Sequence, residues 1–212
     1  MRRDTRLVNI RNTPMIIFEG PECISDDIIK YRDFWEFELF TKWCDYFPEN
    51  GFYLDIGANI GSHCLQFKEN YPNIQIWAFE PFTENFNLLK QNTKRYFDVH
   101  CFNVGVGEKN IMVYFNDGHE SNSGVVQVVD YSKNSNLVVA LDNLEFPSKV
   151  DFIKLDVEGY EVNAIKGMIN LLKKDKPMLW IEDNTHTAVP FLEQLGYKVI
   201  EKEELTNDYL LA

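Results

Sequence analysis

The sequence predicts an α/β fold of the doubly wound kind, a mostly parallel sheet with helices on both faces. Two stretches carry the prediction. Phe52-Tyr53-Leu54-Asp55-Ile56-Gly57-Ala58-Asn59-Ile60-Gly61-Ser62 and Asp151-Phe152-Ile153-Lys154-Leu155-Asp156-Val157-Glu158-Gly159-Tyr160-Glu161 each read as a short buried strand that stops at an aspartate, turns on glycine and opens a helix. A third observation is the rhythm around them, apolar runs alternating with helical patterns, as parallel strands joined by crossovers require.

The elements follow in order. Residues 1–22 are polar around one apolar patch at 15–18, a strand or a packed arm. Ser25, followed by Asp26 and Asp27, has the chemistry of an N-cap, and Ile24 is placed to staple onto Ile29. The helical stretch it opens runs to about 47 and is too dense in aromatics for a solvated helix; its rings pack in the core or roof the crevice. After a turn at 48–51 come the first sheet strand at 52–54, a helix from Ser62 that ends at Tyr71-Pro72-Asn73, and a second strand at 74–79 closing in Glu80-Pro81-Phe82. Thr83 caps a helix over 84–96, and strand three covers 99–106, with Asn103 and Val104 expected beside strand two, bordering an adenine. Residues 109–141 hold three strand-like runs, 111–115, 125–129 and 137–141, between Asn/Asp/Gly/Ser turns, so an antiparallel β insertion is expected between strands three and four. The central strand at 152–155 precedes a helix at 161–174, a strand at 176–181, a helix at 187–195, a strand at 197–201 and a last strand at 208–211. One domain is expected over 1–212, an arm and aromatic cap over 1–50 and a core over 51–212.

Composition narrows the function. The net charge of −12 repels polyanions, so neither nucleic acid nor an anionic membrane is an expected partner. Cys23, Cys44, Cys64 and Cys101 show no Cys-x-x-Cys pair and no histidines at metal spacing, which reads as reduced thiols in a cytoplasmic protein. The basic start is followed by too short an apolar run for a signal peptide, and nothing approaches a membrane span.

The chemistry is expected where strands one and four end side by side, with Asp55 and Asp156 facing each other across the crevice. Gly57, Asn59 and Gly61 tolerate the left-handed backbone that the first turn needs. The backbone N–H groups of such a turn favour a carboxylate, while Asp55 favours an amine. A ligand carrying both, such as the amino-acid end of S-adenosylmethionine, meets these demands, whereas a pyrophosphate would face Asp55 at close range. Glu80, 25 residues beyond Asp55, is placed to meet a ribose diol.

Taken together, Leu54-Asp55-Ile56-Gly57-Ala58-Asn59-Ile60-Gly61, Phe79-Glu80-Pro81, Leu141-Asp142-Asn143-Leu144 and above all the stretch from Asp151 to Glu161, with Lys166-Gly167 following, resemble the FkbM-type S-adenosylmethionine-dependent methyltransferases. The resemblance covers about residues 36–183 and extends to the aromatic-Glu pair Trp35-Glu36. It implies a Rossmann-like class I methyltransferase sheet of seven strands, the last antiparallel, and methyl transfer to a hydroxyl, often on a sugar or a glycosylated or polyketide-like metabolite. Asp55, Gly57, Asn59 and Gly61 carry over as contacts to the methionine end and Glu80 as the ribose ligand. Glu36, Pro81, Phe82, Asn103, Val104 and Asp156 complete the expected cofactor contacts, and Asp156 and Glu158 stand nearest the reacting centre.

A sugar hydroxyl is a poor nucleophile until its proton is taken, so a base is expected, and Asp156, Glu158 and His186 are the candidates, ahead of His63 and His119. No metal is assigned, although Asp156, Glu158, Glu161, Glu182 and Asp183 raise the alternative of a Mg²⁺ that binds a diol. The expected activity is O-methylation of a carbohydrate hydroxyl, on a glycan or a sugar-containing metabolite. Methylation of RNA ribose and a non-catalytic adenosine-binding module are the other readings, and a second subunit packed on the aromatic helix stays open.

Overall fold

The computed structural model describes residues 3–115, 128–129 and 134–212. The chain opens with a hairpin, β1 (Thr5–Ile10) and β2 (Thr13–Phe18), whose Met15, Ile17 and Phe18 are buried. Asn92 ties this hairpin to the core. Its side chain accepts from Ile16 N at 2.6 Å and donates to Ile16 O at 2.9 Å and to Ile60 O, in the glycine turn, at 2.8 Å.

The expected helix over 25–47 is two helices. α1 (Cys23–Tyr31) is capped by Glu22, which accepts from Ser25 N at 2.8 Å, so the cap lies three residues before the expected Ser25. Arg32 and Glu36 both take left-handed backbone, and α2 (Phe37–Trp43) starts after them, followed by a 3₁₀ turn at Cys44–Tyr46. A long-range contact explains the break. Phe34 is buried and Trp35 N donates to Ser62 Oγ at 2.8 Å, so docking of the 32–36 link overrides local helical preference.

The remaining elements are β3 (Phe52–Ile56), α3 (Ser62–Asn70), β4 (Gln75–Phe79), α4 (Thr83–Thr93), β5 (Val99–Phe102), β6 (Gly105–Val106), β7 (Ile111–Phe115), β8 (Val128–Val129) and β9 (Asn134–Val139). Then come β10 (Phe152–Leu155), α5 (Glu161–Lys166), α6 (Ile169–Asp175), β11 (Met178–Glu182), α7 (Ala188–Gln194), β12 (Val199–Glu203) and β13 (Asp208–Leu211). Seven strands form the central sheet in the order β12-β13-β11-β10-β3-β4-β5, with β13 antiparallel to both neighbours. Because β10 and β3 lie side by side and parallel at its middle, their carboxyl ends form the switch point.

The expected strand at 99–106 splits, since β5 belongs to the central sheet and β6 to a second sheet ordered β6-β9-β7-β8. That sheet is the insertion between strands three and four; residues 125–127 of its expected middle strand, and His119, lie outside the described residues. The helix expected at 161–174 is broken at Gly167, where a Cβ would lie 1.9 Å from Gly107 O. Asp142 restarts it by accepting from Asn170 N and Leu171 N at the start of α6.

Alternation along the strands feeds two cores. Phe52, Leu54, Ile56, Ile153 and Leu155 face one way, onto α5, α6 and α7. Tyr53, Phe152 and Trp180 face the other, where Phe47 stacks on Trp180 with an interplanar angle of 7° and Trp43 meets it edge-on at 5.5 Å. Most of the aromatic cap is therefore core packing, while Trp35 and Glu36 reach the crevice. Among the described residues no helix is long and apolar enough to cross a membrane.

Candidate active site

At the carboxyl ends of β3, β4 and β10 lies a cavity of about 200 Å³. The glycine turn makes one wall. Gly57, Asn59 and Gly61 take φ of +87°, +49° and +89°, as left-handed positions should. Gly57 is also forced by crowding, since a Cβ there would lie 1.7 Å from Asp156 O in the neighbouring turn. Four N–H groups of this turn are engaged within the protein and are not free to cradle an anion. Gly57 N and Ala58 N donate to Phe79 O at 2.9 and 3.0 Å, Asn59 N to Glu80 Oε2 at 2.8 Å, and Gly61 N to Ala58 O at 2.8 Å.

Of the residues singled out in the sequence, Glu36, Gly57, Asn59, His63, Glu80, Pro81, Asp156, Glu158 and Glu182 line the cavity. Asp55, Gly61, Phe82, Asn103, Val104 and His186 are absent from its lining. Strand register explains Asp55. It pairs with Lys154, on the face toward α3, and accepts from Cys64 Sγ at 3.0 Å beneath the turn; Asp156, two residues beyond Lys154, stands beside Gly57 instead of facing Asp55. Asn103 is a brace, its Nδ2 donating to Glu80 O and Pro81 O at 2.9 and 3.0 Å. His186 is exposed, outside the cavity.

Glu80 is almost wholly buried, one oxygen on Asn59 N and the other on Phe82 N, and burial pushes its pKa up to about 7 against the pull of those two donors. Across the cavity stands a carboxyl cluster around one amine. Lys154 Nζ is buried 3.0 Å from Asp156 Oδ2 and 5.5 Å from the Trp180 ring. Burial works against its charge, but Asp156, Glu36, Asp55 and Asp208 outweigh burial and hold it protonated. Burial would also raise Asp156, yet Lys154 and a hydrogen bond with Glu182 keep it below the usual carboxylate range. Burial and the neighbouring Asp156 push Glu158 up to about 8 and Glu182 up to about 10.

Glu158 is presented by a strained turn. It takes φ +52° before Gly159 at +90°, and buried Glu161 holds the turn by accepting from Gly159 N at 2.7 Å. His63, buried in the first turn of α3, has Nε2 3.1 Å from Glu36 Oε2, and burial drives its pKa down to about 3, so the imidazole is neutral. Tyr160, Thr206, Asn85 and Val138 also line the cavity without having been singled out for it. Only Tyr160, inside the second aspartate-glycine stretch, had a signal; the others arrive from the β12–β13 connection, α4 and the insertion by tertiary placement.

The residues present fit S-adenosylmethionine. Asn59 Oδ1 is a buried acceptor without a partner on the cavity wall, Glu80 lies beside it for a diol, and the carboxyl cluster suits ammonium and sulfonium groups. Glu36, Asn59, Glu80 and Asp156 would hold the group.

The Methyltransferase FkbM domain model matches residues 55–199. Methyltransferase 1 of Beauveria bassiana is 26% identical over 152 residues, covering 58% of this chain and 60% of that protein. Hexuronic acid methyltransferase AglP of Haloferax volcanii is 30% identical over 126 residues, covering 56% of this chain and 50% of its own length. The chain thus spans between half and three fifths of these two relatives. The crystal structure of Methyltransferase FkbM from Methylobacillus flagellatus superposes with a TM-score of 0.60 at 20% identity, covering 78% of this chain and 44% of that one, a likeness of fold. The fold, the cavity at its switch point and the family match over 55–199 agree: the chain belongs to the FkbM methyltransferase domain family.

Proposed function

We propose that this chain is an S-adenosylmethionine-dependent O-methyltransferase whose acceptor is a carbohydrate hydroxyl, on a glycan or a sugar-containing metabolite. The observation that carries the reading is Glu158, a carboxyl on a strained turn in the cavity wall, with its pKa pushed up to about 8 by burial and by Asp156. Such a group is a strong enough base to take a hydroxyl proton onto its Oε atom as the oxygen becomes nucleophilic. Bound S-adenosylmethionine supplies an electrophilic methyl group on sulfur. Lys154 keeps Asp156 ionised and fixed at 3.0 Å, and Glu161 fixes the turn that carries Glu158. Trp35, Ile24 and Val138 give the cavity apolar walls, which would disfavour water around the reacting atoms.

A carbohydrate is favoured by AglP, whose name gives it a hexuronic acid, and by a wall rich in carboxyl acceptors for hydroxyl donors. RNA is disfavoured by the same carboxyls. The four cysteines are free thiols, in keeping with a reducing, cytoplasmic setting. The test is transfer of a tritiated methyl group from S-adenosylmethionine to a panel of free and nucleotide-linked sugars, oligosaccharides and capped RNA. Label in a sugar hydroxyl, lost in Glu158→Gln, is the expected result. Label in RNA alone, or tight S-adenosylhomocysteine binding with no transfer to any member, would overturn it.

A further inference from the structure

The cavity is unevenly charged. Glu36 comes from the α1–α2 link, Asp156 from the end of β10, Glu158 from the turn after it and Glu182 from the end of β11, and all four line the cavity. Among the described residues no lysine or arginine does. Lys154, the amine in contact with the cluster at 3.0 Å from Asp156, stands behind it, buried. His63 contributes no charge, and although its Nε2 lies 3.1 Å from Glu36 Oε2, neither atom makes a hydrogen bond. More than nine-tenths buried, His63 lines the cavity with this nitrogen in no hydrogen bond and Glu36 as its close polar neighbour.

Carboxyl groups so placed have two ways to lower their energy, taking up protons or facing a fixed cation. The raised pKa values of Glu36, Glu158 and Glu182 show the first way in the free protein. A cationic ligand offers the second. Of the two ends of the reaction in the proposed function, only one has a cation at the reacting atom: the donor is a sulfonium, and the product left behind is a neutral thioether.

We infer that Glu36, Asp156, Glu158 and Glu182 read the charge at sulfur, holding S-adenosylmethionine more tightly than S-adenosylhomocysteine and so speeding exchange of spent cofactor for fresh donor. The inference rests on the cofactor reading above. In the transfer the C–S bond breaks with its electron pair staying on sulfur, the C–O bond forms, and the hydroxyl proton passes to Glu158. The cluster therefore gains a proton as it loses the sulfonium, and the thioether sulfur keeps no charge-based hold on it; the ammonium of the amino-acid end is common to donor and product and does not discriminate between them.

The test is calorimetric titration at pH 8 of the full chain with S-adenosylmethionine, S-adenosylhomocysteine and sinefungin, which replaces the methylsulfonium by an amine-bearing carbon. The two cationic ligands are expected to bind about tenfold tighter than the thioether or more. Glu182→Gln and Glu36→Gln, checked for folding by thermal unfolding, should each shrink that ratio by weakening S-adenosylmethionine more than S-adenosylhomocysteine. Should either variant fail to fold, the three ligands on the unsubstituted chain decide alone. Equal or tighter binding of S-adenosylhomocysteine overturns the inference and leaves the cofactor reading standing; binding of none of the three overturns both.

Discussion

The turns after β3 and β10 share a plan, an aspartate at the strand end, a left-handed glycine and a helix, yet they do different work. In the first, the aspartate is turned under the sheet toward Cys64 and Lys154, and the turn's N–H groups are tied to Phe79 and Glu80. In the second, Asp156 and Glu158 line the cavity. The difference comes from register. Asp55 pairs with Lys154, so Asp156 lies two residues further along and beside Gly57, whose missing side chain leaves it room. Two similar motifs on neighbouring parallel strands thus divide into a packed turn that shapes the wall and a strained turn that carries the chemistry.

Breaking the amine between them should have the largest effect. Lys154→Met leaves Asp156 and Asp55 buried without their shared cation, and should cost about 3–5 kcal/mol in denaturant unfolding. A loss below about 1 kcal/mol would mean that the two turns are not coupled through Lys154.

The glycines give a matched pair. Gly57→Ala drives a Cβ into Asp156 O and should cost about 3 kcal/mol, whereas Gly159→Ala, with its nearest neighbour 3.9 Å away, should cost only the left-handed penalty of about 1 kcal/mol. Equal costs in thermal unfolding would show that contact between the turns is not what demands Gly57.

Function should divide the same way. Glu158→Gln is expected to lower turnover about a hundredfold, and Asp55→Asn only a few-fold, with its loss appearing in stability instead. In the unsubstituted chain the rate should climb as pH rises through about 8, where Glu158 becomes free to accept a proton, and level off above. A rate independent of pH between 6 and 9 would remove Glu158 from the role of base.

A smaller effect concerns the unliganded protein. Glu80 and Glu36, raised to about 7, and Glu158, raised to about 8, hold protons in the folded state that the unfolded chain, near 4.5, has already lost. Their contribution to stability is complete below about pH 4.5 and disappears as pH rises through 7 and 8. The unfolding midpoint should therefore fall between pH 5 and 8, and a steady rise would contradict the burial assigned to these carboxyls.

Much of the sheet was legible because its strands are short apolar runs with clear ends. β13 covers the expected 208–211, β10 the expected 152–155 and β7 the expected 111–115, while the run expected at 137–141 is a strand over 134–139 and the turns expected at 116–118 and 121–124 lie outside the described residues. Residue pattern alone could not resolve what depends on distant contacts. The α1–α2 break follows from Trp35 meeting Ser62, the split of strand three from its last residues pairing with β9, and the retreat of Asp55 from a register that single strands do not announce. Thr206 and Val138 enter the site from elements far along the chain, with no local motif to mark them.

The central claim is that the cavity at the ends of β3 and β10 holds S-adenosylmethionine, with Glu80 on its wall and Asp55 beneath it. The most direct measurement is a calorimetric titration of the unsubstituted chain, Glu80→Ala and Asp55→Asn with S-adenosylmethionine. Saturable binding at about −8 kcal/mol, lost in Glu80→Ala and retained in Asp55→Asn, is the predicted result. No binding to the unsubstituted chain, or binding that Asp55→Asn abolishes and Glu80→Ala leaves intact, would contradict it.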